Sequence, residues 1–128
     1  MSLEQAAKKI REKFNAMPQL RNNGLSFEQW LIVELVGKNP GINQKKIIEI
    51  LLKEPASVSR MVKKLIERKI LLKKKDELDK KVLKLFLTDK GQIIFEDFKK
   101  SIDKEFKEIF SGIYERELYL MIDVLKRL

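Results

Sequence analysis

Residues 55–64 read PASVSRMVKK: two serines, one arginine and two lysines within ten positions, and no carboxylate among them. Val58, Met61, Val62 and Leu65 recur at the three-four spacing of one buried helix face. Pro55 suits the first helical position, because it has no N–H to leave unpaired there. Ala56, Ser57, Ser59, Arg60, Lys63 and Lys64 are left on the outer face. Arg60 can bond bidentately to a guanine edge. Ser57 and Ser59 can reach base edges or phosphates, and Lys63 and Lys64 are point charges that anchor phosphates without reading sequence. A capped, solvated helix start would also carry serines, but a solvated face normally mixes both signs of charge. This one calls for a polyanion.

A second basic cluster follows. Between Arg60 and Lys84 stand eleven basic and four acidic residues, so this segment holds +7 of the chain's formal +9. Lys73, Lys74, Lys75, Lys80, Lys81 and Lys84 belong to it. Lysines on a strand edge also guard against edge-to-edge aggregation, but beside a basic helix these six are candidates for backbone contact with nucleic acid. Asp76, Glu77 and Asp79 would repel phosphates and are expected to shape a turn or hold a neighbouring cation. The chain has no cysteine and no histidine, which removes disulfides, thiol chemistry, the commonest general base and the commonest metal ligand. No catalytic residue, metal site or cofactor is expected, and the chain does not read as an enzyme. Ser101 and Lys104 match the Ser-x-x-Lys spacing of some acyl-transfer enzymes, but without the companion motifs.

These residues need a scaffold. With 128 residues, 44% of them hydrophobic and 37% charged, the chain reads as one soluble, helix-rich domain. No apolar run approaches the ~18 residues of a membrane span, so no membrane partner is expected. The charged N-terminus lacks a signal-peptide core, and a cytoplasmic location is expected. Leu3, Ala7, Ile10, Phe14 and Met17 form a seam that could pair with another helix. Pro18 ends that helix, and residues 19–24 read as a loop. Ser26 and Gln29 form a capping box flanked by Leu25 and Trp30 at staple positions. A helix from Phe27 to near Gly37, a turn at 39–41, and a short helix capped by Asn43 and ending near Leu52 follow, with Ile47, Ile48 and Leu51 inward. The basic helix then runs to about Arg68. Residues 70–75 and 81–87 alternate as two strands of a hairpin. Thr88 caps a long helix striped by Ile94, Phe98, Ile102, Phe106 and Ile109. After the break at Ser111-Gly112, Leu118, Met121, Ile122, Leu125 and Leu128 carry a last helix to the end of the chain. The fold class is mainly α (α+β): a winged helix-turn-helix with a two-stranded β wing and long N- and C-terminal helices. Such a helix fills the major groove of duplex DNA, while the hairpin lies along the backbone with its tip toward the minor groove.

From Leu25 to Gly91 the chain resembles the MarR family of bacterial and archaeal transcriptional regulators. The elements that carry the resemblance are LSFEQW, NQKKIIEIL, PASVSRMVKKLIERK, DELDKK at the wing tip and LTDKG opening the long helix. Three positions depart from it. Lys69 stands where the family usually has a glycine, so the helix is expected to end without an easy left-handed cap. Ile48 replaces a small residue. Asp79-Lys80-Lys81 replaces Asp-x-Arg, which implies weaker minor-groove contact by the wing.

The resemblance implies a single domain, 1–128, with a DNA-reading core at 25–88 and dimerisation helices at 1–18 and 89–128. Ala7, Ile10, Phe14, Phe106, Phe110, Leu118, Met121, Ile122 and Leu125 would line the homodimer seam, and these stripes exceed what so small a core can cover. It further implies a repressor on a palindromic site of double-stranded DNA, relieved by a small aromatic ligand. Trp30, Phe95 and Phe98 are candidates to line that ligand's pocket, with core packing as the alternative for each, and Arg21 or Lys13 could meet an acidic ligand. From a different class, the same basic face would serve a winged-helix module that binds protein or RNA, or an architectural DNA binder without sequence preference.

Overall fold

A computed structural model describes residues 1–128. Seven helices and one hairpin follow in the order α1 (Leu3–Asn15), α2 (Pro18–Asn22), α3 (Phe27–Lys38), α4 (Gln44–Leu51), α5 (Pro55–Glu67), β1 (Leu71–Lys75), β2 (Leu83–Leu87), α6 (Asp89–Ile109) and α7 (Glu115–Leu125). The helix starts follow local chemistry. Ser26 Oγ accepts from Gln29 N–H at 3.1 Å while Gln29 Oε1 accepts from Ser26 N–H at 3.0 Å. Leu25 and Trp30, the staple pair, are both buried. Asn43 caps α4 through Lys46 N–H at 2.8 Å. Thr88 caps α6 through Gly91 N–H at 3.0 Å.

Two local readings change. Residues 18–22 form a short helix rather than a loop: Pro18 opens it instead of merely ending α1, and Leu20 is driven into the core. The last helix stops at Leu125, three residues short of the end of the chain.

The core is wholly apolar. Eighteen side chains from α1–α6 and both strands share it, and no charged or polar residue is buried. Trp30 lies at its centre with its ring centroid 3.8 Å from that of Phe98 and 6.2 Å from that of Phe95.

Helix α5 ends in a left-handed cap. Lys69 adopts φ +60°, Ile70 N–H donates to Leu65 O and Lys69 N–H donates to Ile66 O, both at 2.9 Å. This double bond pattern is the Schellman arrangement usually supplied by glycine. The absence of glycine therefore does not change the cap; Lys69 accepts the strained conformation because Leu65 and Ile70 are both fully buried beneath it.

The hairpin is antiparallel, with Leu71 opposite Leu87, Lys73 opposite Leu85 and Lys75 opposite Leu83. Leu72, Lys74, Lys84 and Phe86 occupy the other face, where the Lys74 ammonium lies 5.4 Å from the Phe86 ring centroid. Residues 41–43 add a partial third strand: Gly41 N–H donates to Leu85 O at 2.8 Å, and Leu85 N–H donates to Ile42 O at 2.9 Å. The wing is thereby stitched to the start of α4. At its tip Asp76 Oδ1 accepts from the N–H groups of Leu78 (2.8 Å) and Asp79 (3.1 Å), and Asp76 Oδ2 lies 3.2 Å from Lys84 Nζ. Asp79 Oδ1 accepts from Lys81 N–H at 3.0 Å. Asp76 and Asp79 shape the turn and Asp76 holds a lysine, as expected of acids between lysines, while Glu77 makes neither contact.

Two outcomes follow from these local devices. Lys69→Gly removes a left-handed side chain and is expected to raise stability by about 0.5–1 kcal/mol, the strain relieved exceeding the added chain entropy; a urea melt with an unchanged slope measures it. The N–H groups of Asp79 and then Leu78, with Lys84, hold the Asp76 carboxyl below its ordinary value. Because the carboxylate is the favoured form, the ordered tip is present above the ordinary value and lost only as pH falls through the lowered one. Protection of the Leu78 and Asp79 amides, taken relative to their intrinsic exchange rates, is expected to persist as pH falls to 3.8. In Asp76→Ala that protection should be lost at every pH while the core amides remain protected.

Candidate nucleic-acid interface

Helix α5 buries Val58, Val62 and Leu65 and leaves Ala56, Ser59, Arg60, Lys63 and Lys64 exposed, with Ser57 half-buried. The Arg60 guanidinium donates to Ser57 Oγ at 3.3 Å. This bond holds the arginine against its own helix start. One turn further on, Lys63 and Lys64 point into solvent, and neither lies within ion-pair distance of a carboxylate.

Between α5 and the wing runs an open groove of about 770 Å³. Its floor is apolar, from Val62, Ile66, Val82, Leu83 and Leu85; Lys45, Lys63, Lys73 and Lys81 stand on its walls, with Glu67 the one acid. Ser59 opens onto it from α5. The register explains why Lys73 is there: it shares the face of Leu85, the strand residue committed to the core.

The six wing lysines are therefore not equivalent. Lys73 and Lys81 face the groove beside α5, while Lys75, on the same strand face, and Lys80, in the turn, are exposed. Lys74 and Lys84 lie on the opposite face, Lys74 over Phe86 and Lys84 bound to Asp76. The structure thus divides the six candidates into four free cations and these two, whose side chains already have a neighbour. Lys45 was missed by the sequence reading. Its signal was available, two residues past the Asn43 cap, but only the strand formed by residues 41–43 brings that cap to the wing.

Trp30, Phe95 and Phe98, candidates for a ligand pocket or for core packing, are buried and packed on one another. Phe14, placed on the dimer seam, is buried within its own chain, stacked on Phe27 at 4.3 Å and edge-on to Phe106 at 5.3 Å and Phe110 at 6.1 Å. Ala7, Ile10, Phe106, Met121, Ile122 and Leu125 are exposed, Leu118 and Phe110 half-buried. Helix α7 has no buried residue.

The model of the MarR family matches residues 23–81. The HTH-type transcriptional regulator YybA of Bacillus subtilis is 28% identical over 109 residues, which is 85% of this chain and 73% of that protein. A putative MarR family transcriptional regulator from Listeria monocytogenes, solved in complex with 26mer DNA, superposes with a TM-score of 0.82 at 25% identity, over 98% of this chain and 82% of that one. A mutant MarR from E. coli, solved with operator DNA, has the same fold, with a TM-score of 0.86 at 16% identity over 98% of this chain and 89% of that one. The family match begins at the corner before α3 and ends in the wing turn, taking in the helix-turn-helix that carries the basic face; over that segment the chain is similar to the MarR family.

Proposed function

We propose that the chain is a homodimeric transcriptional regulator, a repressor, that reads an inverted repeat in double-stranded DNA. The observation that carries this reading is the juxtaposition of the acid-free outer face of α5 from Ala56 to Lys64 with the lysine-walled groove beside it. Helix α5 enters the major groove with Ser57, Ser59 and Arg60 toward base edges. Lys45, Lys63, Lys64, Lys73 and Lys81 neutralise phosphates on either side, and the wing tip follows the backbone. The relative from Listeria monocytogenes, whose structure contains DNA, supports the assignment.

The arms support the dimer. Ile10, Phe106, Met121, Ile122 and Leu125 are between 37% and 49% exposed, a continuous demand for cover that α1, α6 and α7 do not meet within one chain. A second copy covers them and sets two α5 helices about one DNA turn apart. Residues 1–18 and 89–128 then serve as the dimerisation arms and residues 25–88 as the reading core. A ligand relieves repression by binding better to another separation of the two α5 helices.

Selection from random duplex DNA at physiological salt tests the reading. An inverted repeat with half-sites about ten base pairs apart is the expected enrichment; retention without a motif, fading as salt rises, would instead indicate an electrostatic surface for RNA, protein or bulk DNA. On the selected site, Arg60→Ala should cost about 1–3 kcal/mol and relax preference at one base position. Lys73→Ala should weaken all sequences alike and lower the salt slope by about one unit, whereas Lys84→Ala, whose charge Asp76 already holds, should lower it by less.

A further inference from the structure

Arginine is scarce in this chain, six residues against twenty-two lysines, and one of the six is spent on two backbone carbonyls. At the C-terminal end of α5 the Arg68 guanidinium donates through Nη1 to Gly24 O at 2.9 Å and through Nη2 to Asn23 O. Lysine, a point charge, cannot present the planar fork that meets two successive carbonyls at once. Asn23 and Gly24 form the corner where the N-terminal arm enters the reading core, and Gly24 takes φ +62° to turn it.

The same end of α5 holds the other exit. Lys90 Nζ donates to Arg68 O at 3.1 Å. The Thr88 hydroxyl lies within bonding distance of the carbonyls of Lys69 and Ile70. Both chain connections between core and arms are thus tied to the residues that close α5, at the helix end opposite its base-facing residues.

We propose that Arg68 is the positioning residue that sets the pose of α5 relative to the arms, and so the half-site separation that the dimer accepts. This rests on the DNA-reading dimer proposed above. The lever is long. Thirteen helical residues span about 20 Å, so a rotation of about 10° about the Arg68 end carries the N-terminal residues by about 3.4 Å, the rise of one base-pair step. Two hydrogen bonds at the pivot therefore restrain displacements on the scale of one base-pair rise, although Arg68 itself contacts no base.

The test uses the full chain and the selected inverted repeat, rebuilt with its half-sites moved closer or further apart by single base pairs, alongside an isolated half-site. Wild type is expected to bind one spacing best and to lose about tenfold for a displacement of about one base pair. Arg68→Ala should flatten that profile to about twofold while leaving affinity for the isolated half-site unchanged. A merely structural arginine would lower affinity for every duplex alike and keep the profile, which would overturn the proposal. Should Arg68→Ala unfold at assay temperature, Arg68→Lys decides: an intermediate profile supports the pivot, and a wild-type profile sinks it. Failure of the wild type to prefer any duplex sequence would instead count against the DNA-reading dimer itself.

Discussion

The main-chain carbonyl of Ile70 is where the helix with the basic face, the wing and the long arm helix meet. Its oxygen accepts from Thr88 N–H at 3.0 Å and lies 3.1 Å from the Thr88 hydroxyl. Directly above it stands Gly91, where a Cβ would come within 2.2 Å of that oxygen. Any other residue would push the first turn of α6 away from the strand, and a twenty-one-residue helix about 30 Å long would magnify the tilt. Thr88 is suited to the joint because one hydroxyl serves both sides of it. Its oxygen accepts from Gly91 N–H to cap α6, while its proton goes to the end of the α5 turn. The LTDKG segment is thus a single device that aims the arm from the reading core.

The rest of the core follows from keeping charge out of it. With no buried polar or charged residue, stability comes from apolar burial and close packing, and the ionic groups contribute little to it. Lys63, Lys64, Lys73, Lys75, Lys80 and Lys81 have no carboxylate partner within 4.0 Å. Crowding so many unpaired cations onto one helix and hairpin is unfavourable to the free chain, and a polyanion relieves it while releasing its own counterions. Within the hairpin, Lys84 is the lysine that the fold does pair, and its bond to Asp76 stabilises the tip.

How much of this could be read from residues depended on how far each signal travels. The Ser26–Gln29 capping box, the Asn43 and Thr88 caps and the alternation of Leu83, Leu85 and Leu87 act within a few positions and were legible. Helix α2 was not, because five residues with a single buried leucine carry no period. The cap at Lys69 was misread because a lysine gives no hint of positive φ; the burial of Leu65 and Ile70 imposes it. Phe14 was assigned to the seam because apolar periodicity is the same whether the facing helix belongs to this chain or to another. Trp30, Phe95 and Phe98 raise the same ambiguity between pocket and core, because a buried aromatic ring serves either. Arg68 was invisible, since its carbonyl partners lie 45 and 44 residues away.

The packing also decides where regulation can act. Gly37 approaches the Phe95 ring so closely that a Cβ would sit 2.7 Å from it, and Trp30 fills the space against Phe98. A centre this dense transmits displacement rather than absorbing it, and opening it for a ligand would forfeit the contacts that hold α3 on α6. The arms are the softer part. Beyond Phe98, α6 is at most half-buried, and α7 is held by no buried side chain of its own. In the proposed dimer, the cover that orders these arms is the same contact that fixes the angle between the two copies. Anything that repacks the seam therefore moves the α5 helices through the Thr88–Gly91 joint, with the reading core travelling as a rigid body.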